Sequence, residues 1–469
     1  MASSDPASDS LESRISASCP ADTRRILEAA WHHDTAALKT LLDVPGKASC
    51  QDPKTGETPL HAAIRACGHA APEPESGSID NTAAAKDTVY KLFLYGAIWN
   101  DVDDRNETPG CLAHRLGQRE LYSLCVDAGV RAEMLFGLME GYEELSSGSD
   151  EEDEDMDGDD AGEAGEEEHH ANGADDGDEA PELVNVEEDT GATADAVVEE
   201  EPERFVPPKT AADDEVKSET YLRSKLTYSE GKLVDDEGNG VMMAWETDIM
   251  QRSVDALLGP DKQPGKRVLN VGFGMGIVDT MFRATAPARH HIIEAHPEVL
   301  ARIARPESTF AAADWEGSGP GEGEGEGEGG AYKVHAGRWQ EVVPGLLERG
   351  EVYDAIYFDT FGEDYSQLRL FFTEFVPALL DERGTFSFFN GLGADRQICY
   401  DVYTKVVEMH LADAGLDVDW KEVGVDMQQL HEAGKGEWEG VKRRYWTLDS
   451  KSHCIVAVIT SHHWDAPCY

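Results

Sequence analysis

Strand-like and helix-like patterns alternate from Arg267 to near the end of the chain, which predicts an α/β fold on a doubly wound, largely parallel sheet. A glycine turn, Gly272-Phe-Gly-Met-Gly276, follows the first of these strands, where such sheets place their ligands. Ahead of this region lie an all-helical pattern and a run of acids, so the 469 residues are expected to hold two folded regions and a linker. The boundaries read as a disordered N-terminus over 1–21, a helical domain over 22–142, a disordered acidic linker over 143–203 and an α/β domain over 204–469.

In the helical domain, Glu57-Thr-Pro-Leu-His-Ala-Ala-Ile-Arg-Ala-Cys-Gly68 resembles an ankyrin repeat. Thr58-Pro59 makes the turn, His61 braces it, and Ala62 and Ala63 let the helix pack closely. A weaker copy begins at Glu107-Thr-Pro-Gly-Cys-Leu-Ala-His114. The two starts lie further apart than the usual period of about 33 residues, and an insertion around Ala70 to Ala85 accounts for the excess. Arg24 to Leu42 reads as a degenerate first repeat. Such repeats bury a core only by stacking, so two to three units with atypical caps are expected. A plain helical domain is the simpler alternative.

From Asp150 to Glu203 about half the residues are acidic and none is Lys or Arg. Self-repulsion and the shortage of apolar residues predict disorder. The formal net charge of -54 argues against direct nucleic-acid binding, which needs a basic footprint. The charge suits a basic protein partner or a solubilising linker. The eight cysteines are scattered without a Cys-x-x-Cys pair, so reduced thiols are expected and no metal site. Met1 to Pro20 lacks the pattern of a signal peptide. No apolar run approaches the roughly 20 residues that span a bilayer.

In the α/β domain, Phe205–Gly231 is mixed. Gly240–Leu258 reads as a helix, with Met243, Ile249, Met250, Val254 and Leu257 at helical spacing. Expected strands are Arg267–Val271, His291–Glu294, Tyr332–His335, Ala355–Phe358 and Thr385–Phe389. Each is followed by a helix, in order Gly276–Thr285, Glu298–Ala304, Gln340–Glu348, Tyr365–Leu380 and Ile398–Ala414. Asp417–Gly424, Arg444–Thr447 and Cys454–Thr460 read as closing strands. The Gly-Glu repeats of Gly317–Gly330 read as an exposed loop.

Two carboxylates stand out: Glu246 ahead of the glycine turn and, much further on, Asp359 at the end of the apolar run Tyr353–Phe358. An ionised carboxylate at a strand end can grip a guanidinium in fork geometry and can accept a proton. Capping a turn or pairing with an arginine is the alternative for each. The turn itself departs from a dinucleotide fingerprint, because Ile277 stands where the last small residue would be. Glu294, at the end of the next strand, suits both hydroxyls of a ribose. A ribose without a pyrophosphate points to S-adenosylmethionine. Trp339 can lie on an adenine face or simply pack.

Taken together, Val241-Met-Met-Ala-Trp-Glu-Thr-Asp-Ile-Met250, Val271-Gly-Phe-Gly-Met-Gly-Ile277, Ile292-Ile-Glu-Ala-His296, Gly337-Arg-Trp339 and Tyr357-Phe-Asp-Thr360 resemble guanidinoacetate methyltransferase. With ankyrin-like repeats in front, the chain is similar to the fungal protein arginine N5-methyltransferases, the type IV arginine methyltransferase family. The resemblance implies a Rossmann-like class I methyltransferase domain with one antiparallel strand near an edge. It implies S-adenosylmethionine contacts at Tyr221, Met250, Gly272, Phe273, Gly274, Met275, Gly276, Ile277, Glu294, Ala295, His296, Arg338, Trp339 and Asp359, with Tyr228 as the alternative to Tyr221. Substrate contacts are implied at Met242, Glu246 and Asp359, the two acids being catalytic.

Phe389-Asn-Gly-Leu-Gly393 lacks the hydroxyl residues with which the small-molecule enzyme meets a substrate carboxylate. This departure favours arginine within a polypeptide, methylated at its delta (N5) nitrogen, and the family's substrates include ribosomal protein. The other readings are a small-molecule guanidine methyltransferase and a non-catalytic ankyrin adapter. A monomer acting in cytoplasm and nucleus is expected. The region from Arg204 onward is expected to fold and bind its cofactor without the repeats.

Overall fold

In the computed structural model, the structure describes residues 9–70, 81–146, 204–208, 216–311, 315–319, 330–424, 436–448 and 453–461. The tract from Asp150 to Glu203 and most of Gly317–Gly330 lie outside them. Residues 138–203 form a unit apart, described only where the last helix of the N-terminal region ends.

That N-terminal region contains α1 (Leu11–Arg14), α2 (Ala21–Trp31), α3 (Thr35–Leu41), α4 (Pro59–Arg65), α5 (Asn81–Leu94), α6 (Pro109–Arg115) and α7 (Arg119–Ser146). Two helices start alike. Thr58 accepts the N–H of His61 and is followed by Pro59, while Thr108 accepts the N–H of Cys111 and is followed by Pro109. These hydroxyls satisfy backbone donors that a first turn leaves unpaired. His61 Nδ1 accepts the N–H of Thr58, so its proton sits on Nε2, which donates to the carbonyl of Glu107 at 2.9 Å. Burial keeps this imidazole neutral. The bond ties one Thr-Pro unit to the next. Asn81 already opens α5, so the part of the Ala70–Ala85 insertion outside the described residues is 71–80.

The expectation of disorder over 1–21 is corrected from residue 9 onward. Ser10 caps α1, and Ile15 and Cys19 join the helical core. The Arg14 guanidinium, 3% exposed, reaches Glu57 at 2.9 Å and both Asp103 and Asp104 at 2.8 Å. Arg65 meets the same Glu57 and Asp103 at 3.1 Å. Two buried acids recruit an arginine from a segment that composition reads as loose.

The α/β region opens with α8 (Ser218–Tyr221) and a three-stranded antiparallel sheet, β1 (Leu226–Ser229), β2 (Lys232–Asp235) and β3 (Gly240–Met243). The predicted helix over Gly240–Leu258 is therefore split. Its first residues pair with β2, a 3-10 turn covers Ala244–Glu246, and α9 begins at Thr247 and ends at Leu258. Val241 to Met243 suit a ladder as well as a helix, and pairing with β2 decides.

The main sheet takes β4 (Arg267–Val271), β5 (Arg289–Glu294), β6 (Tyr332–Ala336), β7 (Tyr353–Phe358), β8 (Leu380–Phe388), β9 (Leu416–Gly424) and β10 (His453–Ser461) in the order β6-β5-β4-β7-β8-β10-β9. β4 to β8 run parallel, and β10 is antiparallel to both of its neighbours. The order reverses at β4 and β7, the kind of switch point where a crevice opens. This is the Rossmann-like sheet that the resemblance implies, with one antiparallel strand beside an edge. The connecting helices are α10 (Ile277–Arg283), α11 (Pro297–Ile303), α12 (Trp339–Glu348), α13 (Tyr365–Leu370), α14 (Val376–Leu379) and α15 (Gln397–Asp413). The single helix predicted over Tyr365–Leu380 is interrupted by a π-helical turn at Phe371–Phe375, before Pro377. Arg444–Thr447 is not a strand. Beside it, Arg443 forms only an isolated bridge to Asn239.

α15 belongs to two cores. Ile398, Val402 and Val406 are fully buried among the side chains of the N-terminal helices, while Val407 and Leu411 pack under the main sheet. A Cβ on Gly110 would overlap Ile398, and one on Gly129 would lie 2.6 Å from Val402. Among the described residues no helix is long and apolar enough to cross a membrane.

Candidate active site

Strand β4 delivers the chain into Gly272, Gly274 and Gly276, all at positive φ. At Gly272 the closeness is extreme, because the carbonyl of Asp359 occupies the place of a side chain. The Asp359 N–H in turn donates to the carbonyl of Val271 at 2.9 Å. Gly274 is covered by Met242 from β3, whose sulfur accepts the Met275 N–H at 3.3 Å.

Glu294 ends β5 beside this turn and is 6% exposed. Its carboxylate accepts N–H groups from Phe273 at 2.9 Å, Gly274 at 3.4 Å and His296 at 2.6 Å. Burial pushes its pKa up against these donors. The acid is held in place by backbone, and it lines a cleft of about 620 Å³ counting the solvent at its mouth.

The wall of that cleft is drawn from the carboxyl ends of β4, β5, β6 and β7. Of the implied cofactor residues it includes Tyr221, Gly272, Gly274, Glu294, Ala295, Arg338, Trp339 and Asp359, and it also includes Met242. It does not include Met250, Phe273, Met275, Gly276, Ile277 or His296. Met250 is buried in the core under β4, and Met275 and Ile277 pack against the same core. Phe273 packs with Phe310 in a separate cluster that includes Ile292 of β5. Gly276 gives the turn its left-handed bend, with the Phe273 ring where a side chain would be. His296 acts behind the wall. Its Nδ1 accepts the Glu298 N–H, so Nε2 donates to the Tyr221 carbonyl at 3.0 Å, and the two rings touch.

Tyr221 rather than Tyr228 reaches the cleft. The Tyr228 hydroxyl donates to the Gly274 carbonyl at 3.2 Å, and its ring lies under the Arg302 guanidinium. Trp339 is 2% exposed, its ring set edgewise against Phe358, Phe371 and Phe375 and its Nε1–H donated to Glu363. Packing thus holds most of this indole.

A second, larger cleft adjoins the first and shares Asp359 with it; counting the solvent at its mouth it measures about 1640 Å³. Glu246 lies on its wall. The structure therefore brings the two acids, 113 positions apart in sequence (359 − 246), to one cavity. Glu246 is 2% exposed. Glu246 Oε1 and Asp359 Oδ2 are both sealed from solvent without a hydrogen-bond partner. Desolvation first, and then repulsion from Asp359, raise the Glu246 pKa well above its ordinary value. Burial pushes Asp359 to about 7, although its side chain is partly open to the cleft. Two uncompensated carboxylates in one cavity favour a cationic guest with N–H donors.

Thr360, Phe361 and Glu363 also line both clefts, and the sequence reading did not single them out. Extending the strand-end argument past Asp359 finds them. Tyr403 and Tyr445 on the larger cleft come from distant segments, with no local signal. No cluster that could hold a metal ion occurs among the described residues.

A family model described as Guanidinoacetate N-methyltransferase matches residues 215–311, which span β1 to α11 and hold the glycine turn, Glu246 and Glu294. Among curated relatives, "Protein arginine N-methyltransferase 2" of Gibberella zeae is 59% identical over 96% of this chain and 96% of its own length. The protein of the same name from Neurospora crassa is 62% identical over 94% of this chain and 97% of its own. Among solved structures, N-methyltransferase NodS from Bradyrhizobium japonicum aligns with 47% of this chain and 97% of its own at 13% identity, with a TM-score of 0.30, too slight to bear on function.

Proposed function

The chain belongs to the protein arginine N-methyltransferase 2 family, and from that membership we propose that it methylates the delta (N5) nitrogen of arginine in a basic protein, with S-adenosylmethionine as donor. The observation that carries the reading is the pair Glu246 and Asp359, each with a buried carboxylate oxygen lacking a partner, where the two clefts meet.

The smaller cleft fits the cofactor. Glu294 stands where ribose hydroxyls can donate to it, and Gly272, Gly274 and Tyr221 line the same cleft. When bound, S-adenosylmethionine supplies an electrophilic methyl on a sulfonium.

Chain residues do the rest. Glu246 and Asp359 accept guanidinium N–H groups in charge-assisted bonds, which fix the plane of the group and the nitrogen it presents. As the new N–C bond forms, the methyl's bond to sulfur breaks and S-adenosylhomocysteine leaves as a neutral thioether; the methylated nitrogen gives up its proton to a carboxylate of the pair. The raised pKa of Asp359 brings that group near the range useful for a base at neutral pH. Glu246 Oε1 and Asp359 Oδ2 are shielded from bulk water.

A ribosomal protein is the substrate class the resemblance favours. The Thr-Pro-capped units joined by His61 support an ankyrin-like reading of the helical region. The acidic tract suits steering of a basic substrate, and we place the protein in cytoplasm and nucleus as a monomer. The match over 215–311 favours a second reading, methylation of a small guanidine. Mass spectrometry of a methylated basic protein, with fragmentation of the arginine side chain, tests the first reading. A methyl on the internal nitrogen is expected; a terminal methyl overturns the N5 assignment. Turnover of guanidinoacetate with none of protein would favour the second.

A further inference from the structure

We propose that Tyr403, held by Glu133 of the helical region, positions the polypeptide that carries the target arginine, so that the helical region forms part of the acceptor site. The inference rests on the protein-arginine reading above and names what surrounds the guanidinium.

Tyr403 is on α15 and lines the larger cleft with Tyr365. Their ring centroids are 5.4 Å apart. The Tyr403 hydroxyl donates to Glu133 Oε2 of α7 at 3.2 Å. The Tyr365 hydroxyl is bonded to His410 Nδ1 at 2.7 Å. Both rings are therefore anchored through their hydroxyls, and both residues line the cavity that holds Glu246 and Asp359.

The cavity, about 460 Å³, is far larger than a guanidino group requires. Two fixed aromatic rings provide a surface for an aliphatic stem and flanking backbone, whereas a free small guanidine would engage only the acids. Other bonds lock α15 to the helical region. Tyr122 donates to Asp401 at 2.6 Å, Lys405 meets Asp127 at 3.3 Å, and Arg396 reaches Asn106 at 3.0 Å. Arg396 adjoins Asp395, itself on the cleft wall. Every one of these ties brings the helical region to bear on the helix that carries Tyr403.

The test uses the full chain and the variants Tyr403→Ala, Tyr403→Phe, Glu133→Ala and Glu133→Gln. Four quantities are read: affinity for S-adenosylmethionine, affinity for methylguanidine, and both KM and Kd for a short peptide with one arginine flanked by lysine and glycine. The peptide Kd is taken with S-adenosylhomocysteine present.

Tyr403→Ala and Glu133→Ala should weaken peptide binding roughly 3- to 10-fold, the size of one lost hydrogen bond or more. Cofactor and methylguanidine affinities should hold within twofold. Glu133→Gln, whose amide oxygen still accepts, should restore most of the peptide affinity, and Tyr403→Phe should fall between. Unchanged peptide binding in both alanine variants overturns the proposal. So does a parallel fall in all three affinities, which would mark a purely structural contact. If the unaltered chain transfers no methyl to the peptide, the functional reading fails instead, while the peptide Kd still decides the role of Tyr403.

Discussion

A Cβ on Gly272 would stand 1.9 Å from the carbonyl oxygen of Asp359. The glycine turn and Asp359 are thus one piece of backbone geometry, since no side chain fits between the loops after β4 and β7. Gly272 also has φ +95°, which L side chains rarely adopt. Gly272→Ala should therefore displace Asp359 and damage both clefts together. Turnover should fall by at least about a hundredfold and stability by roughly 1–3 kcal/mol. Calorimetry with S-adenosylmethionine and thermal unfolding check both effects, and retained cofactor affinity would separate the two loops.

The acid pair predicts a pH dependence of defined sign. Asp359 has an ordinary pKa of 3.8 and is raised to about 7 by burial. The folded state therefore holds a proton that the unfolded chain has released, and its stability falls as pH rises from about 4 to 7 before levelling. Asp359→Asn should remove this part of the slope and raise the melting temperature of the cofactor-free protein at pH 8 by a few degrees. Turnover should be nearly abolished in the same variant, and in Glu246→Gln. In the unaltered chain, guanidinium affinity should rise with pH through about 7, as the carboxylate must be ionised to bind. A flat profile would remove Asp359 from substrate binding.

Glu294 accepts three backbone N–H groups and faces the smaller cleft. Glu294→Ala should weaken S-adenosylmethionine by about 1.5–3 kcal/mol, the worth of charged hydrogen bonds. Glu294→Gln should retain part of the turn's geometry and lose less. Equal affinity in all three proteins, measured by calorimetry, would contradict a ribose role.

A chain beginning at Arg204 would uncover Ile398, Val402 and Val406, which lie in the helical core. Each fully buried aliphatic side chain is worth about 1.5–3 kcal/mol, so their exposure alone rivals the margin of a typical domain. Truncation should lower the melting temperature sharply and promote association through α15. Replacing the three by Ser, Thr and Thr should improve solubility of the truncated chain without restoring peptide binding. An Arg204–Tyr469 chain as stable as the same region in the full protein would refute this packing argument.

Much of the α/β region was legible because its signals are local. Arg267–Val271 is a strand by its apolar run, and the glycines after it bend as their composition predicts. Glu246, Glu294 and Asp359 could be picked out as acids beside strand ends or a turn. Where local patterns admit two answers, the reading slipped. Val241–Met243 can serve a helix or a ladder, and pairing with β2 makes the ladder. Arg14 looks like a residue of a polar tail until Glu57 and Asp103, buried beneath it, demand a cation.

The sequence by itself determined the alternation of strand and helix, the bend after β4 and the chemical character of the two acids, because backbone preference and charge belong to single residues and their near neighbours. Only the tertiary structure decided that Glu246 and Asp359 share a cavity, that His296, Met250 and Ile277 stand behind the wall rather than in it, and that α15 carries Tyr403 between two cores. Those facts depend on which faces become buried against which partners. That choice is made by the packing of segments far apart in the chain, and no local pattern encodes it.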